Sequence, residues 1–298
     1  MKKILIIIVI LILIALGVYF ITKDTSETVD MTETITTEEP QVTEPTQEET
    51  DDTKTVIGTS VENRDITAYH YGEGNTELLF VGGIHGGYEW NTSLVAYELI
   101  DYLEENPTVI PENVQVTVVP VLNPDGLYEV VGTTEKFSKT DVPSSQDATI
   151  PGRFNGNGVD LNRNFDCDWE STGVWQNAEV DGGTSAFSEP ESKAIQNYIN
   201  THNPEAVVVW YSAANGVFAS SCHNGVLTET TTLTNLYAEA SGYPAYEEFN
   251  FYEITGDMVN WLAKEGVPAI SVLLSTHDDI EWSKNKAGID ALLEYYSN

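Results

Sequence analysis

Four short apolar runs punctuate the chain: ELLFVGG at 77–83, VQVTVVPVLNP at 114–124, AVVVWY at 206–211 and PAISVLL at 268–274. Helix-patterned segments separate them, and this alternation is the strongest constraint on the fold. A strand that is apolar on both faces must be covered on both faces, and a largely parallel sheet flanked by helices does this. In WNTSLVAYELIDYLEEN, Leu94, Val95, Leu99 and Leu103 fall on one helical face. SEPESKAIQNYINTHNP reads as a second helix, with Ser188 placed to cap it, Pro190 in its first turn and Asn203-Pro204 stopping it. GDMVNWLAKEG closes a short helix at Gly266, and EWSKNKAGIDALLEYY is terminal. Residues 127–160 read as irregular, and no internal repeat is present. Sites in such sheets gather at the carboxyl ends of strands. His85, Asn123, Tyr211 and the residues after Leu274 stand at such ends.

The N-terminus is separate from this domain. Residues 1–24 hold Lys2, Lys3 and an apolar run from Ile4 to Ile21, roughly 27 Å long as a helix and so about one bilayer core. The run exceeds a usual signal-peptide core and lacks a clear small-residue cleavage site, which favours an uncleaved anchor with Lys2 and Lys3 in the cytoplasm. Residues 25–54 are dominated by Thr, Glu, Asp and Pro and are expected to form a disordered, self-repelling stalk. The folded part is expected at 55–298, outside the cell. The chain carries a formal charge of -34, and 55–298 alone holds 9 Lys and Arg against 36 Asp and Glu. Such a balance argues against nucleic acid and anionic membrane surfaces as partners, leaving membrane contact to the N-terminal helix. Cys167 and Cys222 are either a disulfide, as an oxidising compartment allows, or two free thiols.

Three stretches carry chemistry in order: GGIHGGYE around His85 and Glu89, NPDG at 123–126, and GVDLNRNF at 158–165. Together they resemble the zinc carboxypeptidases, the carboxypeptidase A-like metallopeptidases, across roughly residues 60–298. The resemblance implies an α/β fold, a mixed and largely parallel sheet of about eight strands with helices on both faces. It also implies a zinc held by two histidines and a glutamate, a general-base carboxylate, an oxyanion arginine and an Asn-Arg grip on a free C-terminal carboxylate.

Carried over residue by residue, His85 and Glu89 fall on the first two metal ligands, with one extra residue between them. Arg153 falls on the oxyanion arginine, Asn162 and Arg163 on the carboxylate grip, Tyr252 on the mobile capping tyrosine, and Val259 on the specificity pocket, where it implies apolar terminal side chains. Two parts depart from the pattern. The third ligand histidine should end the strand AVVVWYS, yet no histidine lies between His202 and His223, leaving Tyr211 or His223 as substitutes. The base position in PAISVLL is Leu273, with His277, Asp278, Asp279 and Glu281 following. Zinc is therefore expected to have an incomplete site. The expected function is recognition of peptide or cell-wall peptide C-termini by a catalytically degenerate domain. The alternative is an active metallocarboxypeptidase with a non-standard third ligand and base.

Overall fold

The computed structural model describes residues 53–297. The Ile4–Ile21 run and all but the last two residues of the expected stalk lie outside them; among the described residues no helix is long and apolar enough to cross a membrane.

The apolar runs form the centre of an eight-stranded sheet. Its strands are β1 (Lys54–Thr59), β2 (Asp65–Tyr71), β3 (Thr76–Val81), β4 (Val114–Val119), β7 (Ala206–Ser212), β8 (Gly216–Ala219), β9 (Ala245–Tyr246) and β10 (Ala269–Leu274), in the order β1-β2-β4-β3-β7-β10-β8-β9. β5 (Thr172–Trp175) and β6 (Ala178–Asp181) make a separate hairpin. The central pairs β4/β3, β3/β7 and β7/β10 are parallel, while antiparallel pairs occur toward the edges.

Side chains alternate across the central strands with period two, so each strand supplies two cores. Leu78, Phe80, Val208, Trp210, Ile270 and Val272 face one core, against α1 (Trp90–Glu105), α4 (Thr228–Ser241) and α6 (Trp282–Tyr296). Leu79, Val81, Val207, Val209, Tyr211 and Leu273 face the other, against α3 (Pro190–His202) and α5 (Met258–Lys264). The expected layered α/β architecture is therefore present, and Tyr211 and Leu273 emerge on the same face.

Local readings differ in three places. Residues 127–131, expected to be irregular, belong to α2 (Pro124–Val131), capped by Asn123 Oδ1 accepting from Gly126 N at 2.9 Å. Ser188 does not cap α3; its hydroxyl donates to Glu189 Oε1 and accepts from Asn164 Nδ2, and Pro190 alone opens the helix. α4 is poor in helix formers, with four threonines in its first five residues. Three of its threonines donate back to carbonyls one turn earlier, a pattern that gives no strong helix signal in sequence. Packing of Leu233 and Tyr237 into the core holds it instead.

Cys167 and Cys222 are disulfide-bonded, with Cα atoms 6.2 Å apart and a sequence separation of 55. The bond joins the segment after Arg163 to the loop after β8. A loop of this length restricts the unfolded chain by about 4 kcal/mol in the chain-entropy model. Replacing both cysteines with serine is expected to lower unfolding free energy by about 2–4 kcal/mol, read as a shift of the denaturant midpoint at unchanged slope.

Candidate functional site

β3 ends at Val81, and the chain turns through Gly83, whose φ of +64° and 3.0 Å approach to Pro120 O exclude a side chain. His85 then precedes a single 3-10 turn, Gly86–Glu89, that runs into α1. The tighter turn absorbs the extra residue between His85 and Glu89. Their side chains meet, with His85 Nδ1 3.0 Å from Glu89 Oε1. This nitrogen is buried and lies off any hydrogen-bond direction. The other ring nitrogen, Nε2, is 3.2 Å from Asp160 Oδ1. The second oxygen of Glu89 accepts Ser212 N at 3.1 Å, tying the turn to the end of β7.

Asp160 belongs to GVDLNRNF and is fully buried. Its Oδ1 caps the turn Leu161–Arg163 by accepting Asn162 N, and its Oδ2 accepts Arg153 Nε at 2.9 Å and Nη2 at 2.8 Å. Burial opposes its ionisation, but Arg153 and then His85 outweigh that and hold the carboxyl far below the usual range. Burial likewise opposes Glu89, and His85 and Arg153 again win, lowering it. For His85, burial and Arg153 disfavour the charged ring, yet Glu89 and Asp160 raise its pKa. Two carboxylates thus face the two nitrogens of one imidazole. Arg153 is covered by the Trp175 ring at 4.4 Å and the Tyr88 ring at 5.5 Å. Tyr88 is one of the three residues separating His85 from Glu89, so the lengthened spacing itself helps to roof the arginine.

Tyr211 stands near the end of β7, where the resemblance expects the third ligand histidine. Its ring lies 5.9 Å from His85, and its hydroxyl donates to Asn162 Oδ1 at 3.2 Å. Burial first, then Asp257 and Glu89, push the phenol well above its ordinary pKa, so it is neutral. Leu273 is its direct partner in the parallel register of β7 and β10. His223 does not reach the site; it is exposed and pairs with Asp168 at 2.7 Å beside the disulfide. Among the described residues, the one His/Cys/Asp/Glu trio close enough to hold a metal is Cys167, Asp168 and Cys222, whose sulfurs are bonded to each other. A catalytic zinc takes three protein ligands and an open position. His85 Nδ1 and Glu89 Oε1 offer two donors, and the third place holds a neutral phenol turned toward Asn162. The residues present do not fit that metal.

Arg163 and Asn162, nominated for a carboxylate grip, are held differently. Arg163 donates through Nε and Nη2 to Val174 O and through Nη1 to Asn162 O. Of the five N–H groups of a guanidinium, two remain without a partner in these contacts. A Cβ on Gly173 would sit 2.7 Å from Arg163 Cδ, and one on Gly256 would sit 2.2 Å from Arg163 O, so glycine at both places lets the arginine lie flat against β5. Asn162 accepts Tyr211 OH and Met258 N and donates to Asp257 Oδ2 at 2.8 Å. The Tyr252 ring stands 5.9 Å from the Arg163 guanidinium.

One cavity of about 420 Å³ is lined by all seven nominated residues: His85, Glu89, Arg153, Asn162, Arg163, Tyr252 and Val259. Sequence reasoning missed the parts that connect them. Asp160 lay inside a quoted motif but was given no role. Asp257, Tyr88 and Trp175 had no signal at all. His277 was named only as one of four polar residues after β10, and it is the one that lines the cavity. Asn91 donates both amide hydrogens, to Thr276 O and Asp279 O, so its oxygen accepts from Ser212 Oγ at 3.0 Å. Ser212 has no second hydrogen, so His277 Nδ1 donates to it at 2.9 Å, and His277 Nε2 is left as an acceptor facing Tyr88 OH at 3.4 Å. Ser212 is thereby a link in a polar network rather than an activated hydroxyl.

A family model described as zinc carboxypeptidase matches residues 41–283. Carboxypeptidase B from Helicoverpa zea is 31% identical over 149 residues, covering 46% of this chain and 32% of that protein. The solved carboxypeptidase A from Helicoverpa armigera superposes with a TM-score of 0.62 at 21% identity, covering 82% of this chain and 67% of the other. The murein-tripeptide amidase MpaA from Escherichia coli O157 superposes with a TM-score of 0.54 at 20% identity, covering 80% and 91%. The chain spans about a quarter to a half of the length of the curated relatives it matches. At these structural identities the likeness speaks to the fold alone.

Two outcomes test the site. Tyr211→His supplies the missing nitrogen and is expected to raise bound zinc toward one per chain by elemental analysis, while the unaltered chain stays near none. The charge network also sets a pH window. Glu89 and Asp160 are lowered from ordinary values of 4.5 and 3.8, so their contribution is present above those values and lost as pH falls through the folded ones. His85 is raised from 6.5, so its contribution is complete below 6.5 and lost as pH rises through its folded value. Denaturant unfolding across pH is expected to show the loss on the alkaline side disappearing in His85→Asn, together with about 3–5 kcal/mol of stability.

Proposed function

The chain belongs to the zinc carboxypeptidase family, and from that premise we propose that it is a non-hydrolytic member that recognises the free C-terminus of peptides. The observation that carries this reading is one cavity holding Arg163 with N–H groups to spare while Tyr211 and Leu273 stand side by side at the third-ligand and base positions. A leucine accepts no proton, and loss of a general base alone costs about two to four decades in rate. Arg153, the residue expected to stabilise an oxyanion, spends Nε and Nη2 on Asp160 and lies under two rings. Binding needs none of these parts. Two unused N–H groups of a guanidinium can match the two oxygens of a carboxylate, and Val259 in the same cavity suits an apolar terminal side chain.

The Ile4–Ile21 run would anchor the domain to the membrane with the cavity outside the cell, where cell-wall peptides with free C-termini are the nearest ligands of this chemistry. The fold shared with a murein-tripeptide amidase is consistent with that ligand class.

The test uses the full-length chain in detergent, purified without chelator. Expected are near-zero zinc, no cleavage of short peptides, and binding of a free-acid peptide that is lost on C-terminal amidation. Arg163→Ala is expected to weaken that binding by about 1.5–3 kcal/mol, or roughly 10- to 150-fold, in fluorescence anisotropy. One zinc per chain together with release of the C-terminal residue would establish the hydrolytic alternative instead.

A further inference from the structure

The far end of the cavity is built from rings and acids. Phe251 is 56% exposed and Tyr246 is 38% exposed, an unusual outlay of large aromatic surface. Ring contacts run inward without a break, from Phe251 to Phe249 at 5.0 Å and from Phe249 to Tyr252 at 5.0 Å. Tyr252 in turn faces the Arg163 guanidinium. Phe218 backs this track, stacked on Tyr246 at 4.6 Å and 5.4 Å from Phe249. The track leads from solvent to the carboxylate grip.

Its electrostatics are one-sided. Glu247, Glu248 and Glu253 alternate with the rings and are exposed, and Glu248 and Glu253 line the cavity. No lysine or arginine occurs between Lys193 and Lys264, the stretch that supplies this wall. The cavity's arginines are Arg153, paired to Asp160, and Arg163, at the inner end. Exposed ring faces and carboxylates both attract cations, and an arginine can lie flat on a ring while its edge meets a carboxylate. An acidic side chain at the same place meets repulsion from both.

We propose that this rim is a subsite for a cationic residue, best an arginine, lying upstream of the C-terminal residue held by Arg163. The ligand class is therefore a peptide with a free, apolar C-terminal residue preceded by basic ones. The inference rests on the carboxylate-gripping reading above and adds a second point of recognition to it.

The test measures anisotropy of labelled Gly-Gly-Arg-Arg-Leu as free acid and as amide, and of the free acid with both arginines replaced by citrulline, which keeps the shape and removes the charge. Against the full-length chain, the arginine free acid is expected to bind about tenfold more tightly than the citrulline peptide, from one exposed cation–π contact and one exposed ion pair. That ratio is expected to shrink in 0.5 M salt and to collapse toward one in a Glu248→Gln, Glu253→Gln double variant, and separately in Phe251→Ser. Equal affinity for the arginine and citrulline free acids overturns the rim subsite, and it leaves the C-terminus reading standing if the amide still fails to bind. Equal affinity for acid and amide, or no binding by any of the three, overturns the C-terminus reading and the subsite with it.

Discussion

A buried imidazole between two carboxylates is the contact on which the site depends. His85 meets Glu89 on one nitrogen and Asp160 on the other, and Arg153 closes the set on Asp160. None of these groups is more than 3% exposed. Unpaired buried charges would cost several kcal/mol each, so the four stand or fall together. Their backbones come from the end of β3, the turn into α1, the segment before β5 and the loop carrying Arg163. Through Glu89 and Ser212 N the network also holds the end of β7. A local charge arrangement thus decides where the carboxylate-gripping loop sits.

Glu89 and Asp160 share two partners, Arg153 and the His85 ring, while the neutral Tyr211 phenol turns to Asn162. The same phenol fixes the Asn162 side chain, which Met258 N and Asp257 also hold. One residue at the end of β7 therefore both stands where the resemblance expects a histidine and orients Asn162. The cavity runs from these buried groups to an aromatic, acidic mouth.

Much of the site was legible before any coordinate was known. The seven nominated residues share one cavity: GGIHGGYE follows β3, Arg153 and GVDLNRNF lie between α2 and β5, and the segment from Tyr252 to Val259 runs from the loop after β9 into α5. What was not legible has a common cause. Arg153 looked like a group aimed at a reacting carbonyl; its partner Asp160 and its cover, Tyr88 and Trp175, come from separate stretches and meet only in three dimensions. Ser188 reads as a cap from its place before Pro190, but Asn164 and Glu189 claim its hydroxyl. His223 carried the right chemistry in the wrong place, since its ring is exposed and pairs with Asp168 beside the disulfide.

The sequence by itself determined the layered α/β class, because runs apolar on both faces allow few other burials. It also determined that position 273 is a leucine and that no histidine stands between His202 and His223. Only the tertiary structure decided whether the lengthened His85–Glu89 spacing still brings the pair together, because a 3-10 turn can absorb one residue and sequence carries no mark of it. The parallel register of β7 and β10 likewise decided that Tyr211 and Leu273 are neighbours, and long-range packing decided that a ladder of rings leads to Arg163. Composition and local pattern reach as far as each element's own faces; contacts between elements distant in the chain are set by how those faces pack.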